Sequence, residues 1–203
     1  MANDENARSL RSISAFKSKL ANGGARANLF EVQLETIPEG IAEAWDADTF
    51  SFLCKAAALP ASNLSSIDVP FRGRSLKVAG DRTIDPWTVT IINDGQMIFR
   101  EVMEKWINGI TNIENASGTA NPNGYMANAK VFQLGRGSTL EGENLVIDQA
   151  EEHVVLGRYL FQDIFPTNVS QIDVSYDSVD TIEEFTVEFA VNNLYGLNLS
   201  PTE

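Results

Sequence analysis

The chain carries one cysteine, Cys54, and one histidine, His153, in 203 residues. A single cysteine excludes an internal disulfide and suits folding in a reducing compartment. A Cys/His nucleophile pair requires those two residues to meet, yet Cys54 alternates with Phe50 and Phe52, the pattern of a small core residue. Metal centres need clustered Cys, His or carboxylates. Asp46 and Asp48 are close neighbours without the spacing of a calcium loop. The Gly-Arg-Gly at 135–137 lacks the third glycine and the βαβ setting of a dinucleotide site. There is no G-x-S-x-G and no phosphate-binding loop, and nothing singles out a glycosidase-type carboxylate pair among the many acids. No catalytic residue, cofactor-binding residue, metal ligand or cofactor is therefore assigned, and the chain is expected not to be an enzyme. No apolar run reaches the roughly 18 residues of a membrane-spanning helix. MANDENARSL at the start has no basic region followed by an apolar one, so no secretory signal is expected.

Basic charge is scarce as well, and unevenly so. Residues 1–140 hold 15 acids against 14 bases, whereas residues 141–203 hold 13 acids against Arg158 alone. Nearly all of the net charge of -13 thus lies in the last third. Such an excess is either a solvated face or a surface that must not hold a polyanion. A protein built to grip nucleic acid would show the opposite sign.

What the sequence does have is alternation. Phe30, Val32 and Leu34 alternate with Glu31, Gln33 and Glu35 in NLFEVQLE, which predicts a half-buried strand. TFSFLCKA predicts a second strand, after a loop TIPEGIAEAWDAD. FRGRSLKV predicts a third, bent at Gly73, and PWTVTII a fourth, opened by Pro86. NAKVFQL, VVLGRYLFQDIF, SQIDVSYDS and EEFTVEFAV complete the set, with a polar loop over 111–124 and an insertion over about 135–152 that has room for a short strand at Leu145 to Ile147.

Two segments have helical period. From Met97 to Asn108, Ile98, Val102 and Trp106 form one stripe with Phe99, Met103 and Ile107 beside it. Asn93 or Asp94 caps its start and Gly109 its end, and Glu101 and Lys105 form an i,i+4 pair. From Ala7 to Leu20, Leu10, Ile13, Phe16 and Leu20 lie near helical spacing among Arg8, Arg11, Lys17 and Lys19, which predicts a basic amphipathic N-terminal helix, the alternative being a disordered tail. The expected fold is mainly β with some α: an antiparallel sandwich or barrel with one flanking helix and the N-terminal helix. The expected divisions are an arm over 1–25, a β domain over 26–196 and a tail over 197–203.

One polar run stands out, Asp81, Arg82, Thr83 and Asp85 directly before the strand PWTVTII. Gly80 permits a tight turn, and Asp81 can accept backbone N–H bonds in one. The residues alone leave a turn and a subunit contact both open. The whole stretch AGDRTIDPWTVTIIND, however, resembles the signature of the tail tube proteins of contractile-tailed bacteriophages. RANLFEVQL resembles that family's opening strand, FLCKAAALP its next strand and proline, and FPTNVSQIDVSYDS with EEFTVEFAV its closing segment. The likeness runs from about Arg26 to Tyr195. The N-terminal arm, the stretch after Gly135 and the tail after Tyr195 depart from it.

The resemblance implies a structural virion protein. Six copies form a ring in which about four strands from each join one inner barrel. Rings stack into a tube through which phage DNA passes during ejection. Such a barrel far exceeds the roughly 16–18 strands of porins, so its inner wall can be polar. Double-stranded DNA would pass transiently and without sticking, because an acidic wall repels phosphate. Asp173, Asp177, Glu184 and Glu188, opposite the apolar faces of the last two predicted strands, are the lumen candidates. Asp81, Arg82, Thr83 and Asp85 become candidate ring contacts, and so do Arg8, Arg11 and Lys17 of the basic arm. The implied partners are sister copies in a homo-hexamer, the tail sheath, the baseplate and the tail terminator, with no membrane. The implied location is the phage tail, assembled in the host cytoplasm. Two alternatives remain: the inner tube or tube initiator of a related contractile injection system without DNA, and a β-sandwich carbohydrate-active enzyme or binding module. For the last, Trp45, Trp87 and Trp106 show no shared platform.

Overall fold

The computed structural model describes residues 13–20, 24–35, 37–43, 45–135 and 154–196. The elements in chain order are α1 (Ile13–Lys19), β1 (Phe30–Glu35), α2 (Glu39–Ala42), α3 (Ala47–Leu53), β2 (Cys54–Ala58), β3 (Ser62–Phe71), β4 (Arg74–Ile84), β5 (Trp87–Ile92), α4 (Ile98–Ile110), β6 (Ala127–Gly135), β7 (Val154–Val169) and β8 (Glu184–Tyr195). Six strands form one antiparallel sheet in the order β1-β6-β7-β8-β5-β2, curled into a nearly closed barrel. Strands β3 and β4 form a separate two-stranded sheet. The fold is thus mainly β, with α4 as the flanking helix and α1 at the N-terminal side.

Alternation builds the core. Val32 and Leu34 on β1, Trp87, Val89 and Ile91 on β5, and Phe185, Val187 and Phe189 on β8 all point into the barrel. Helix α4 adds Phe99, Val102, Met103 and Trp106 to the same cluster. Trp87 is fully buried, stacked on Phe161 at 4.4 Å between ring centroids and tilted against Phe189 at 5.4 Å. Trp106 is buried as well, and its Nε1 donates to Tyr125 O at 2.7 Å. Two of the three tryptophans are therefore core residues, unavailable as a sugar-binding platform.

Strand β7 pairs with β6 along one edge and with β8 along the other. Phe161 and Ile164 are both fully buried although three residues apart. Asp163 makes this work. Its φ of 55° inserts a left-handed step, its N–H donates to Asn128 Oδ1 at 3.1 Å, and its carbonyl accepts from Asn192 Nδ2 at 3.0 Å. The bulge shifts the pleat by one residue and returns the strand to the core face.

Several expectations need correction. TFSFLCKA is not one strand. Asp46 caps helix α3, its Oδ1 accepting from Asp48 N at 3.2 Å and its Oδ2 from the Thr49 hydroxyl, which also holds the Asp46 carboxyl below the usual carboxylate range. Phe50 and Cys54 share a face at either period, being four apart; Phe52 discriminates, and it is 87% exposed. FRGRSLKV is not one bent strand either. Arg72 and Gly73, both at positive φ (45° and 81°), form the two-residue turn between β3 and β4. SQIDVSYDS, expected as a strand, lies in an irregular loop over 170–183. Met97, at a φ of 56°, holds the N-cap position of helix α4 without a side-chain bond of its own; Asp94, one of the two expected caps, serves from three residues earlier, its Oδ1 accepting from Ile98 N at 3.0 Å, and the helix runs through Gly109 to Ile110. The Glu101–Lys105 pair forms at 2.6 Å. The suggested strand at Leu145 to Ile147, nearly all of the 135–152 insertion, and the 197–203 tail lie outside the described residues.

Two tests follow from this core. Replacing Trp87 by Ala should lower stability by about 3–5 kcal/mol, as for other large-to-small core changes; the urea midpoint of the two proteins measures it. Cys54 is 7% exposed, and burial pushes its thiol up to about 12, offset only in part by a weak contact to Ala56 O. Since the thiolate is the reactive form, the native protein at about pH 8 should resist iodoacetamide and become modified only in denaturant, as read by mass spectrometry.

Candidate subunit interface

The polar run singled out in the sequence is not a turn. Asp81, Arg82 and Thr83 are exposed residues of β4, near the base of the β3–β4 hairpin, and Asp85 follows the strand. The pairing is continuous from Phe71↔Arg74 to Ser66↔Ala79, then shifts, and resumes at Leu64↔Arg82. Ser65 thus faces both Gly80 and Asp81, which is a β-bulge. Gly80 is needed for close approach rather than for a turn. A Cβ there would overlap the Ser65 hydroxyl and lie 3.1 Å from Ile67 Cγ1. Arg82 Nε donates to Ser62 Oγ at 2.6 Å, and Asn63 Nδ2 to Asp85 Oδ1 at 2.8 Å. Among the described residues, Asp81, Arg82 and Asp85 take part in no ion pair.

The residues missed by sequence reasoning are on the same arm. Cross-strand partners share a face, so Ile67 with Val78, Val69 with Leu76, and Phe71 near the turn make one apolar stripe. All five are 44–67% exposed. The opposite face carries Asp68 and Lys77, paired at 3.0 Å. The alternation of Ile67, Val69 and Phe71, and of Leu76 and Val78, was visible. What hid the hairpin was its Arg-Gly turn, which lacks the Asn-Gly or Asp-Gly signature, and Pro70, which speaks against a central strand. No strand of the barrel covers this stripe, and both long edges of the two-stranded sheet lack a ladder partner among the described residues.

A second open edge lies beside it. Strand β5 pairs with β8 only from Glu184 to Phe189. Beyond that, β4 departs at Ile84 and leaves an open cleft of about 640 Å³ between Arg82, Thr83 and Ile84 on one side and Val191 to Tyr195 on the other. The backbone of β8 borders this cleft without a ladder on that side.

The acidic candidates separate into two groups. Glu184 and Glu188 lie on the outward face of β8, opposite Ile92 and Thr88 of β5, away from Phe185, Val187 and Phe189. Lys55 reaches Glu184 at 2.5 Å; Glu188 has no ion-pair partner among the described residues. Asp173 and Asp177 sit instead in the 170–183 loop, so no strand alternation aligns them with the other two. Lys17 lies on α1, whose residues are all exposed. Arg8 and Arg11 fall outside the described residues. Among those residues there is also no group of three or more potential metal ligands, and no helix is long and apolar enough to cross a membrane.

The sequence profile of the phage tail tube protein family matches residues 25–195. The tail tube protein of Enterobacteria phage T4 is 31% identical over 168 residues, covering 83% of this chain and 89% of that protein. The tail tube protein of Enterobacteria phage T6 is 30% identical over 168 residues, with 83% of this chain and 89% of that protein covered. In structure, the fold is similar to that of a chain in the extended sheath–tube complex of an extracellular contractile injection system, at a TM-score of 0.53 and 11% identity, covering 90% of this chain and 97% of that one. A family match across most of its length, with relatives of this identity and coverage, makes the role structural and tube-forming rather than enzymatic: the chain belongs to the phage tail tube protein family.

Proposed function

We propose that six copies close into a ring through their β3–β4 arms, and that rings stack into the inner tube of a contractile tail. The observation that carries this reading is the arm itself. An isolated two-stranded hairpin is marginal in water. Here one keeps five large apolar side chains half exposed and both edges open. Side chains of this kind gain about 1.5–3 kcal/mol on full burial, so covering this half-exposed stripe contributes about 5 kcal/mol per copy. A neighbouring copy supplies both a cover for the stripe and strands for the edges, and the open run of β8 beside Arg82 and Thr83 is the matching edge. Asp81, Arg82, Thr83 and Asp85 then lie at the joint between arm and barrel. The tail sheath, baseplate and tail terminator are the proposed further partners, supported by the fold shared with a chain of a sheath–tube complex. The proposed location is the virion tail, after assembly in the host cytoplasm.

For the lumen, the polar outward face of β5 and β8 is the candidate wall, with Thr88, Thr90, Thr186 and Glu188 on it. DNA carries about one phosphate charge per 1.7 Å of axis. A lining with an unpaired carboxylate, whose neighbouring cation Lys55 is already held by Glu184, repels that backbone weakly and offers few places to stall. Glu184 contributes less, since Lys55 neutralises it. Asp173 and Asp177 lack the strand geometry that recommended them for this wall. The second reading keeps the tube and changes its cargo: the inner tube, or tube initiator, of a contractile injection system without DNA. The fold shared with an extracellular injection device favours it, and particles with or without a filled capsid distinguish the two.

Negative-stain microscopy of the purified chain should show rings or tubes. Arg82→Glu and Val69→Asp should both leave the circular dichroism and melting of the subunit unchanged while shortening or abolishing tubes. Normal tubes from both variants would remove the arm as the joint. In a DNA-filled particle, Glu188→Lys should permit assembly but slow DNA release severalfold, in line with one added phosphate contact per copy; unchanged release kinetics would take Glu188 off the wall.

A further inference from the structure

We propose that the basic segment containing α1 of one copy docks on the 170–183 loop of a second copy in the adjacent ring, as a charged clip between rings. The proposal rests on the tube reading above and names a contact that the arm does not make.

The loop is a built surface. Its start is fixed where Arg100 Nη1 donates to Ser170 O at 2.6 Å and Ser170 N and Oγ bond with Thr186 at 2.8 and 2.9 Å. Its end is fixed where Asn93 N donates to Glu183 O at 2.9 Å. Between these anchors, Ile172 packs against the core, while Val174, Tyr176, Val179 and Ile182 are 69–106% exposed. An anchored loop that shows four large apolar side chains to water is the mark of a contact surface. Asp173, Asp177, Asp180 and Glu183 lie among them, and no base occurs from 170 to 183. Arg100 at the loop's foot is already engaged by Glu104 at 2.6 Å.

The basic segment is complementary in both respects. Residues 7–20 hold Arg8, Arg11, Lys17 and Lys19 and no acid. On α1, Ile13, Phe16 and the adjoining Leu20 form a stripe at i, i+3 and i+7, and all three are exposed. Four bases with three apolar side chains meet four acids with four apolar side chains. Donor and receiver are different surfaces, so the contact is heterologous: each copy gives one and receives one, and such a series either closes into a ring or continues as a stack. In the tube reading the β3–β4 arm already closes the ring, which leaves stacking to this contact.

The test uses the full chain. Lys17→Glu with Lys19→Glu, and separately Asp173→Lys with Asp177→Lys, should each raise the protein concentration needed for tubes about tenfold, the equivalent of a few surface ion pairs. Combining the four changes should bring it back to within about threefold of the original. Raising salt from about 0.1 M to about 1 M, which shortens the screening length from about 10 Å to about 3 Å, should shed tubes into single rings. With Phe16→Cys and Val179→Cys, mild oxidation of tubes should give chains linked to their neighbours, the native Cys54 being buried. Silent pair exchanges, no recovery in the combined variant, or a link confined within one chain overturns the clip. If the unaltered chain forms no rings at all, the tube reading fails instead, so the two failures are distinguishable.

Discussion

An apolar stripe that the described residues leave uncovered is the constraint on which the rest of this structure depends. The barrel satisfies itself: its inner face is filled by Trp87, Phe161, Phe185 and Phe189, and α4 adds Phe99, Val102, Met103 and Trp106. The β3–β4 arm cannot do the same. Two strands have one layer and two edges, and a layer needs a second to bury its apolar side. The arm of Ile67, Val69, Phe71, Leu76 and Val78 is therefore half of a layered structure among the described residues, and in the ring proposed above a neighbouring copy supplies the other half.

The barrel determines where that other molecule can be. Strand β8 needs β5 as partner only as far as Phe189, because β5 starts at Trp87 and Pro86 stops the ladder from continuing. From there the chain runs backward into β4, which diverges from β8 at Ile84. The divergence creates two things together, an exposed arm and an exposed edge. A closed barrel would have abolished its edges; in the proposed ring, closure passes from the subunit to the assembly. The Asp163 bulge serves the same end from the other side. It keeps Phe161 and Ile164 in the core along a strand of 16 residues, so β7 stays paired with both neighbours without losing the inward pattern.

Legibility in the sequence followed the range of the interactions involved. Strands β1, β5, β6 and β8, and helix α4, bury one face against the barrel and show it as period in the chain. α3 escaped because Phe50 and Cys54 satisfy periods of two and of nearly four alike, and Phe52, apolar yet exposed, favours the wrong one; Asp46, as a cap, was the signal for the helix. The loop at 170–183 was mistaken for a strand because Ile172, Val174 and Tyr176 alternate with acids, yet only Ile172 reaches the core; the pattern records apolar residues kept for a different surface. The arm was half visible, as alternation without a recognisable turn. The polar run before β5 was visible as a signature but not as geometry, since the bulge at Ser65, Gly80 and Asp81 that places it depends on a cross-strand register the sequence does not show.

The acidic last third now divides by what accompanies the charge. On β8, Glu188 stands between Thr88 of β5 and Asn168 of β7, a polar surround that suits the repelling wall proposed above. In the 170–183 loop, acids of the same sign alternate with Val174, Tyr176, Val179 and Ile182, a costly arrangement if solubility were its purpose, because the exposed apolar groups undo what the charges provide. One sign of charge can thus do opposite work. In the proposals above, on a polar wall it keeps a polyanion moving, and mixed with bare hydrophobic side chains it selects a basic amphipathic partner. The chain carries one such segment, and it lies at the opposite end of the sequence from the acids it fits.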